Sequence, residues 1–271
     1  MQQFSHITSR CFVNGPFERL VHGLLPLFLE NSIQPEIGLE GSVLYTYGRH
    51  DFQKVAAQLN ERGLSCTLHA PFLDLVPGSL DSTIRAASRN KLKRAFDLIE
   101  IFEPQSIVCH LGYEEPKHGF KKDDWCEAAL ETWQDLLETA IQYGTPIMLE
   151  NTFEPDPEMH LKILQALNSP YLRFCMDVGH VISFAKNNWQ DWLPTMAPYL
   201  GQLHLHDNDG CSDAHLGLGQ GIFDFAGLFA FLQGHELEPI ITLEPHHENG
   251  LLESLEFLNS LPYFSQTDQQ L

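Results

Sequence analysis

Eight short apolar runs, each followed by a segment with helical spacing, succeed one another along 271 residues. The strand-like runs fall at 4–10, 35–39, 65–70, 106–112, 146–151, 172–178, 202–206 and 239–244. Strands that are apolar almost throughout belong to parallel sheets covered on both faces. Between them apolar residues recur every three or four positions. The pattern is plainest at Ile84, Ala87, Leu92, Ala95, Leu98 and Ile101, and again at Ala129, Trp133, Leu136, Leu137 and Ala140. Asp81 and Asp123 are expected to cap these two helices, and Gly63 and Gly144 to stop helices. No Ser/Pro/Gly-rich linker divides the chain, so one domain is expected over 1–271. The alternation predicts an α/β fold, a single-domain (β/α)8 TIM barrel. A doubly wound open sheet competes with it. That fold wants a Gly-rich phosphate loop after the first strand, and Asn14-Gly15-Pro16 is not one.

Composition narrows the class. A hydrophobic fraction of 43%, with 18 Phe and 4 Trp, supplies a large core and excludes disorder. No apolar run reaches the roughly 18 to 20 residues of a membrane span, and the N-terminus lacks the order of a signal peptide. The formal charge of −20 repels a phosphate backbone, so neither nucleic acid nor a membrane is an expected partner. Six dispersed cysteines, with no Cys-x-x-Cys pair, fit a reducing, cytoplasmic setting. Cys66, Cys109 and Cys175 lie in apolar runs and read as small core residues. Trp125, Trp133, Trp189 and Trp192 on outer helices leave room for a homo-oligomer interface.

Barrels keep their chemistry at the carboxyl ends of the strands. There, strands three to eight carry His69, His110, Glu150, Asp177, His204 with His206, and Glu244. His180 follows strand six, and Asp213 and His215 follow strand seven. Singly, each has an ordinary explanation as a rim residue or cap, and Asp207 and Asn208 read as turn formers. Together they bring at least four negative charges to one mouth, which bound cations would stabilise. Imidazole mixed with carboxylate suits Zn, Mn, Fe or Co, and the lack of thiolates disfavours a structural zinc site.

The stretches Leu149-Glu150-Asn151-Thr152, Asp177-Val178-Gly179-His180 and the run from His204 to Gly221, with its Leu-Gly-Leu-Gly turn, resemble a known group. They are similar to the xylose isomerase-like barrels, which include sugar phosphate isomerases, epimerases and the endonuclease IV nucleases. In the isomerase branch the resemblance implies one divalent ion on Glu150, Asp177, His204 and Glu244, with both glutamates moving protons. In the nuclease branch it implies three zinc ions, adding His69, His110, His180, Asp213 and His215. All nine positions are filled with suitable residues, so the motifs alone leave both branches open.

Charge favours a small carbohydrate over a DNA duplex. The one basic cluster near the rim, Lys117, Lys121 and Lys122, reads either as a solvated loop or as a site for one phosphate group. The expected function is therefore a metal-dependent isomerase or epimerase of a sugar or sugar phosphate. Glu150 and Glu244 would serve as the proton-transfer pair, and His180 and His206 would hold hydroxyls. Tyr45 and Tyr47 are candidate stacking surfaces for the sugar. A trinuclear phosphodiesterase or phosphatase, a dehydratase or aldolase on related chemistry, and a non-catalytic sugar-binding barrel are the alternatives.

Overall fold

The computed structural model describes residues 2–265. Its eight strands close a barrel in chain order. They are β1 (Phe12–Pro16), β2 (Gln34–Gly38), β3 (Thr67–His69), β4 (Ile107–His110), β5 (Ile147–Glu150), β6 (Leu172–Asp177), β7 (Leu200–Leu205) and β8 (Ile240–Leu243). All neighbours pair in parallel, and β1 meets β8 through two pairs, Phe12 with Thr242 and Val13 with Leu243. The expected barrel is the observed one.

The first strand lies later than the sequence suggested. Residues 5–8 form a short helix instead, and the strand starts at Phe12. Phe4 and Ile7, three apart, are buried while Ser5 and Ser9 are exposed, which is helical rather than alternating periodicity. The run was too short for periodicity to separate the two.

Side chains two apart on a strand share a face, so each strand sends one set outward to the helices and one inward. Ile37, Leu68, Leu149, Phe174 and Leu203 join the main apolar core, while Val108, Met148 and Cys175 form a separate small cluster with Ile240. Asp81 caps the helix Ser82–Phe96 by accepting from the amides of Thr83 and Ile84. The next long helix begins at Lys122, so Asp123 lies in its first turn rather than at its cap. Gly144 ends that helix at φ +69°, a left-handed conformation that glycine adopts without strain. The four tryptophans are buried between helices and barrel, so they supply core and not an interface. Cys66, Cys109 and Cys175 are buried free thiols. No helix among the described residues is long and apolar enough to cross a membrane.

Candidate metal centre

Pairing brings strand ends together: His110 lies beside Glu150, and Asp177 beside His204, in neighbouring strands. All nine predicted ligand positions converge on the mouth. The Nε2 atoms of His69 and His110 lie 3.1 and 3.2 Å from Glu150 Oε2. His204 Nδ1 lies 3.5 Å from Glu150 Oε1 and 3.3 Å from Glu244 Oε1. His180 Nδ1 is 3.6 Å from Asp177 Oδ2, and its Nε2 is 3.5 Å from Asp213 Oδ2. His215 Nε2 approaches the same Asp213 oxygen at 3.1 Å. Five overlapping groups result, with donor atoms within 4.8 Å of one another: His69–His110–Glu150, Glu150–Asp177–His180, Asp177–His206–Glu244, Glu36–His204–Glu244, and His180–His206–Asp213–His215.

Local structure aims these rings. The Nδ1 atoms of His69, His180 and His215 lie 3.0, 2.9 and 2.8 Å from the carbonyls of Ala70, Asn151 and Glu244. A carbonyl only accepts, so each Nδ1 carries a proton and each Nε2 is turned toward the carboxylates. Asn151 clasps the Asp177 backbone from both sides, donating to its carbonyl at 3.0 Å and accepting from its amide at 2.9 Å. Asp207 organises the loop that delivers Asp213 and His215. Its carboxylate accepts from the amides of Asn208, Gly219, Gly221 and Phe223. The reading of Asp207 as a turn former holds, but the turn it forms builds the site.

A cavity of about 890 Å³ opens over the centre. His69, His110, Glu150, His180 and Glu244 line its polar part, and Phe72, Leu73, Phe153 and Phe184 its apolar part. His206 is fully buried, with Nε2 3.1 Å from Asp177 Oδ1, and does not line that cavity. It backs Asp177 from within and belongs to two donor groups, one with His180, Asp213 and His215 and one with Asp177 and Glu244. Tyr45 stands over Arg94 and Tyr47 packs against Phe17, and neither lines the cavity. The basic cluster is internally neutralised, since Lys117, Lys121 and Lys122 pair with Glu114, Asp124 and Glu158.

Sequence reading missed Glu36. It lies on β2 two residues before the strand end, buried inside the barrel, where its Oε1 is 3.0 Å from His204 Nε2. An acidic residue between Pro35 and Ile37 in a strand-like run was the available signal.

Charge in the centre is divided unevenly. Burial works to raise the Glu150 carboxyl, but His110 and His204 outweigh it and hold the group well below the usual carboxylate range. Asp177 is lowered in the same way by His180 and His206. Glu244 is instead pushed up, by burial and by the charges of Asp177, Glu36 and Glu150. Against burial, His180 is raised well above the ordinary imidazole range by Asp177, Asp213 and Glu150, and His204 by Cys175, Glu244, Glu36 and Glu150. Several buried atoms, His204 Nδ1, His206 Nδ1 and Asp213 Oδ1, have no hydrogen-bond partner. Unpartnered donors among converging carboxylates and imidazoles fit a divalent ion.

The sequence matches the family described as xylose isomerase-like TIM barrel over residues 34–261. The uncharacterised protein MJ1311 of Methanocaldococcus jannaschii is 26% identical over 217 residues, covering 76% of this chain and 73% of that one. Among solved structures, the TTHB071 protein from Thermus thermophilus, soaked with zinc chloride, is similar with TM-score 0.80 and 25% identity. That likeness covers 95% of this chain and 100% of that one. A D-tagatose 3-epimerase-like protein is similar with TM-score 0.79 and 22% identity, over 92% of this chain and 96% of that one. With most of its length matched and its barrel observed, this chain belongs to the xylose isomerase-like TIM barrel family.

Proposed function

We propose that this chain is a divalent-metal-dependent isomerase or epimerase of a sugar or sugar phosphate. The observation that carries this reading is the placement of Glu150 and Glu244 on either side of His204 Nδ1, both lining one cavity. Glu150, Asp177, His204 and Glu244 would hold the ion, in the manner the family resemblance implies. When bound, a divalent ion there supplies Lewis acidity that polarises a carbonyl and its neighbouring hydroxyl.

The side chains do the rest. Glu150, the more acidic of the pair, takes the proton from the carbon next to the carbonyl. Glu244, the more basic, delivers one to the opposite face for epimerisation or to the adjacent carbon for isomerisation. His180 lines the cavity with its Nδ1 committed to Asn151, leaving Nε2 to hold a hydroxyl. The similarity to an epimerase-like protein supports this reading. Its test is a proton-exchange screen of metal-loaded protein against a ketose panel in heavy water. Deuterium entering a carbon next to the carbonyl is expected, and its absence across the panel overturns the proposal.

A second reading, a trinuclear phosphodiesterase or phosphatase, is favoured by one observation: the His69–His110 and Asp213–His215 groups flank the four-residue set. Metal content separates the two, about one ion per chain for the isomerase and near three for the hydrolase. Zn, Mn, Fe and Co are the ions to assay. The paired lysines leave little cationic surface for a duplex.

A further inference from the structure

Below the mouth lies a layer of polar side chains inside the barrel, and its hydrogen bonds can be counted completely. Ser106 Oγ donates to Gln202 Oε1 at 2.7 Å, which fixes the orientation of the Gln202 amide. The amide nitrogen then has two protons. One goes to Glu36 Oε2 at 2.6 Å and the other to Thr242 Oγ1 at 3.1 Å. Thr67 and Thr242 donate their hydroxyl protons to the same Glu36 oxygen, at 2.8 and 3.0 Å. Glu36 Oε2 thus takes three donors. Glu36 Oε1 takes none of them and faces His204 Nε2 at 3.0 Å.

The imidazole nitrogen has little choice in this setting. Gln202 Nε2 is also 3.3 Å from His204 Nε2, but both of its protons are already committed. A lone pair on His204 Nε2 would therefore face a carboxylate oxygen with no donor to meet it. A ligand imidazole must be neutral, and here its single proton belongs on Nε2. The lone pair is then left on Nδ1, which lies between Glu150 and Glu244 and has no hydrogen-bond partner. The arrangement is the reverse of that at His69, His180 and His215, whose Nδ1 protons go to backbone carbonyls.

We propose that Glu36 is a positioning residue: it holds His204 as the Nε2-protonated ring and so makes Nδ1 its metal donor. Glu36 does not line the cavity, and the member of the donor set that it contacts directly is His204. A carboxylate partner also raises the basicity of a ligand imidazole, which sets His204 apart from His69, His180 and His215 with their carbonyl partners. The inference rests on the metal reading above for its consequence, and on hydrogen-bond accounting for its geometry.

The test uses the full chain labelled with 15N-histidine and loaded with 113Cd. A one-bond coupling from cadmium to Nδ1 of His204 is expected, with the His204 signals identified by their loss in His204→Gln. Coupling through Nε2, or cadmium bound without any coupling to His204, overturns the role of Glu36 alone. A chain that takes up no cadmium overturns the metal reading and this inference together. In Glu36→Gln, titrated with Zn2+ alone, affinity at the His204 site should fall by about 10- to 100-fold. Glu36→Asp, which keeps the charge, should recover part of that loss. An unchanged Zn2+ titration in Glu36→Gln counts against the proposal. The cadmium coupling in the wild-type chain needs no variant and decides the matter if Glu36→Gln does not fold.

Discussion

Gly179 lies directly against the His206 ring, so closely that a Cβ at position 179 would overlap the imidazole. His206 in turn hydrogen-bonds both Asp177 oxygens, at 3.1 and 3.2 Å, and stacks on His215 with ring centroids 3.8 Å apart. The glycine in Asp177-Val178-Gly179-His180 is therefore required by contact, not by backbone angle. Gly179→Ala should destabilise the fold by about 1–3 kcal/mol through overpacking. It should also weaken metal binding, because His206 cannot shift without moving Asp177. Denaturant midpoints and a Zn2+ titration check both effects.

Glu150 and Glu244 are not equivalent. Each joins two donor groups, but Glu150 contacts four imidazoles, those of His69, His110, His180 and His204, whereas the Glu244 carboxylate contacts only that of His204 among the described residues. Glu150→Gln and Glu244→Gln should each lower kcat by about 10²- to 10⁴-fold, the usual contribution of a proton-transfer residue. Glu150→Gln should also lose more metal on purification. Steady-state kinetics beside elemental analysis separates the two, and near-normal turnover in either variant would exclude that residue from proton transfer.

Asp207 carries the loop after β7 on one carboxylate. Asp207→Ala leaves the amides of Gly219, Gly221 and Phe223 without their acceptor, at a cost of about 1–3 kcal/mol for each group that stays buried. Asp213 and His215 would lose their placement. The variant should therefore bind less metal per chain while keeping the far-ultraviolet circular dichroism of the barrel.

Glu154 gives a pH dependence from a buried carboxylate outside the donor set. Its buried carboxylate joins two loops by accepting from the amides of Tyr113 and Thr152, and burial pushes its pKa up to about 7. A raised folded-state value means that the protonated form is favoured on folding. The stability from this group is full below its unfolded value and is lost as pH rises through about 7. Glu154→Gln stays neutral throughout. Relative to that variant, the wild type should lose on the order of 3 kcal/mol of unfolding free energy from acidic pH to pH 8. Parallel urea curves across that range would refute the shift.

Residues at strand ends were legible because the barrel repeats a rule: apolar run, polar terminus, helix. His69, His110, Glu150, Asp177 and Glu244 stand out in that pattern even when each is ordinary alone. Glu36 did not, since an acidic residue inside a strand has meaning only once the closed barrel brings Thr67, Gln202 and Thr242 around it. These partners come from β3, β7 and β8, far apart in sequence. His206 was legible as a site residue but not as a buried one. Two residues apart on β7 and its continuation, it and His204 read alike, and only the folded structure separates their surroundings: Glu36, Glu150 and Glu244 around His204, and Asp177, Gly179 and His215 around His206. The displaced first strand failed for a local reason, because the helix at residues 5–8 is a single turn.

The closure of the barrel has a mechanical consequence. The nine converging side chains sit on or just after β3 to β8, and none on β1. An ion held by Glu150, Asp177, His204 and Glu244 would cross-link the four-strand arc from β5 to β8, yet the seam between β1 and β8 would still depend on two residue pairs. Occupancy then slows the opening of the arc without guarding the seam. Amide exchange would show protection rising along β5 to β7 while Val13 continues to exchange at its former rate.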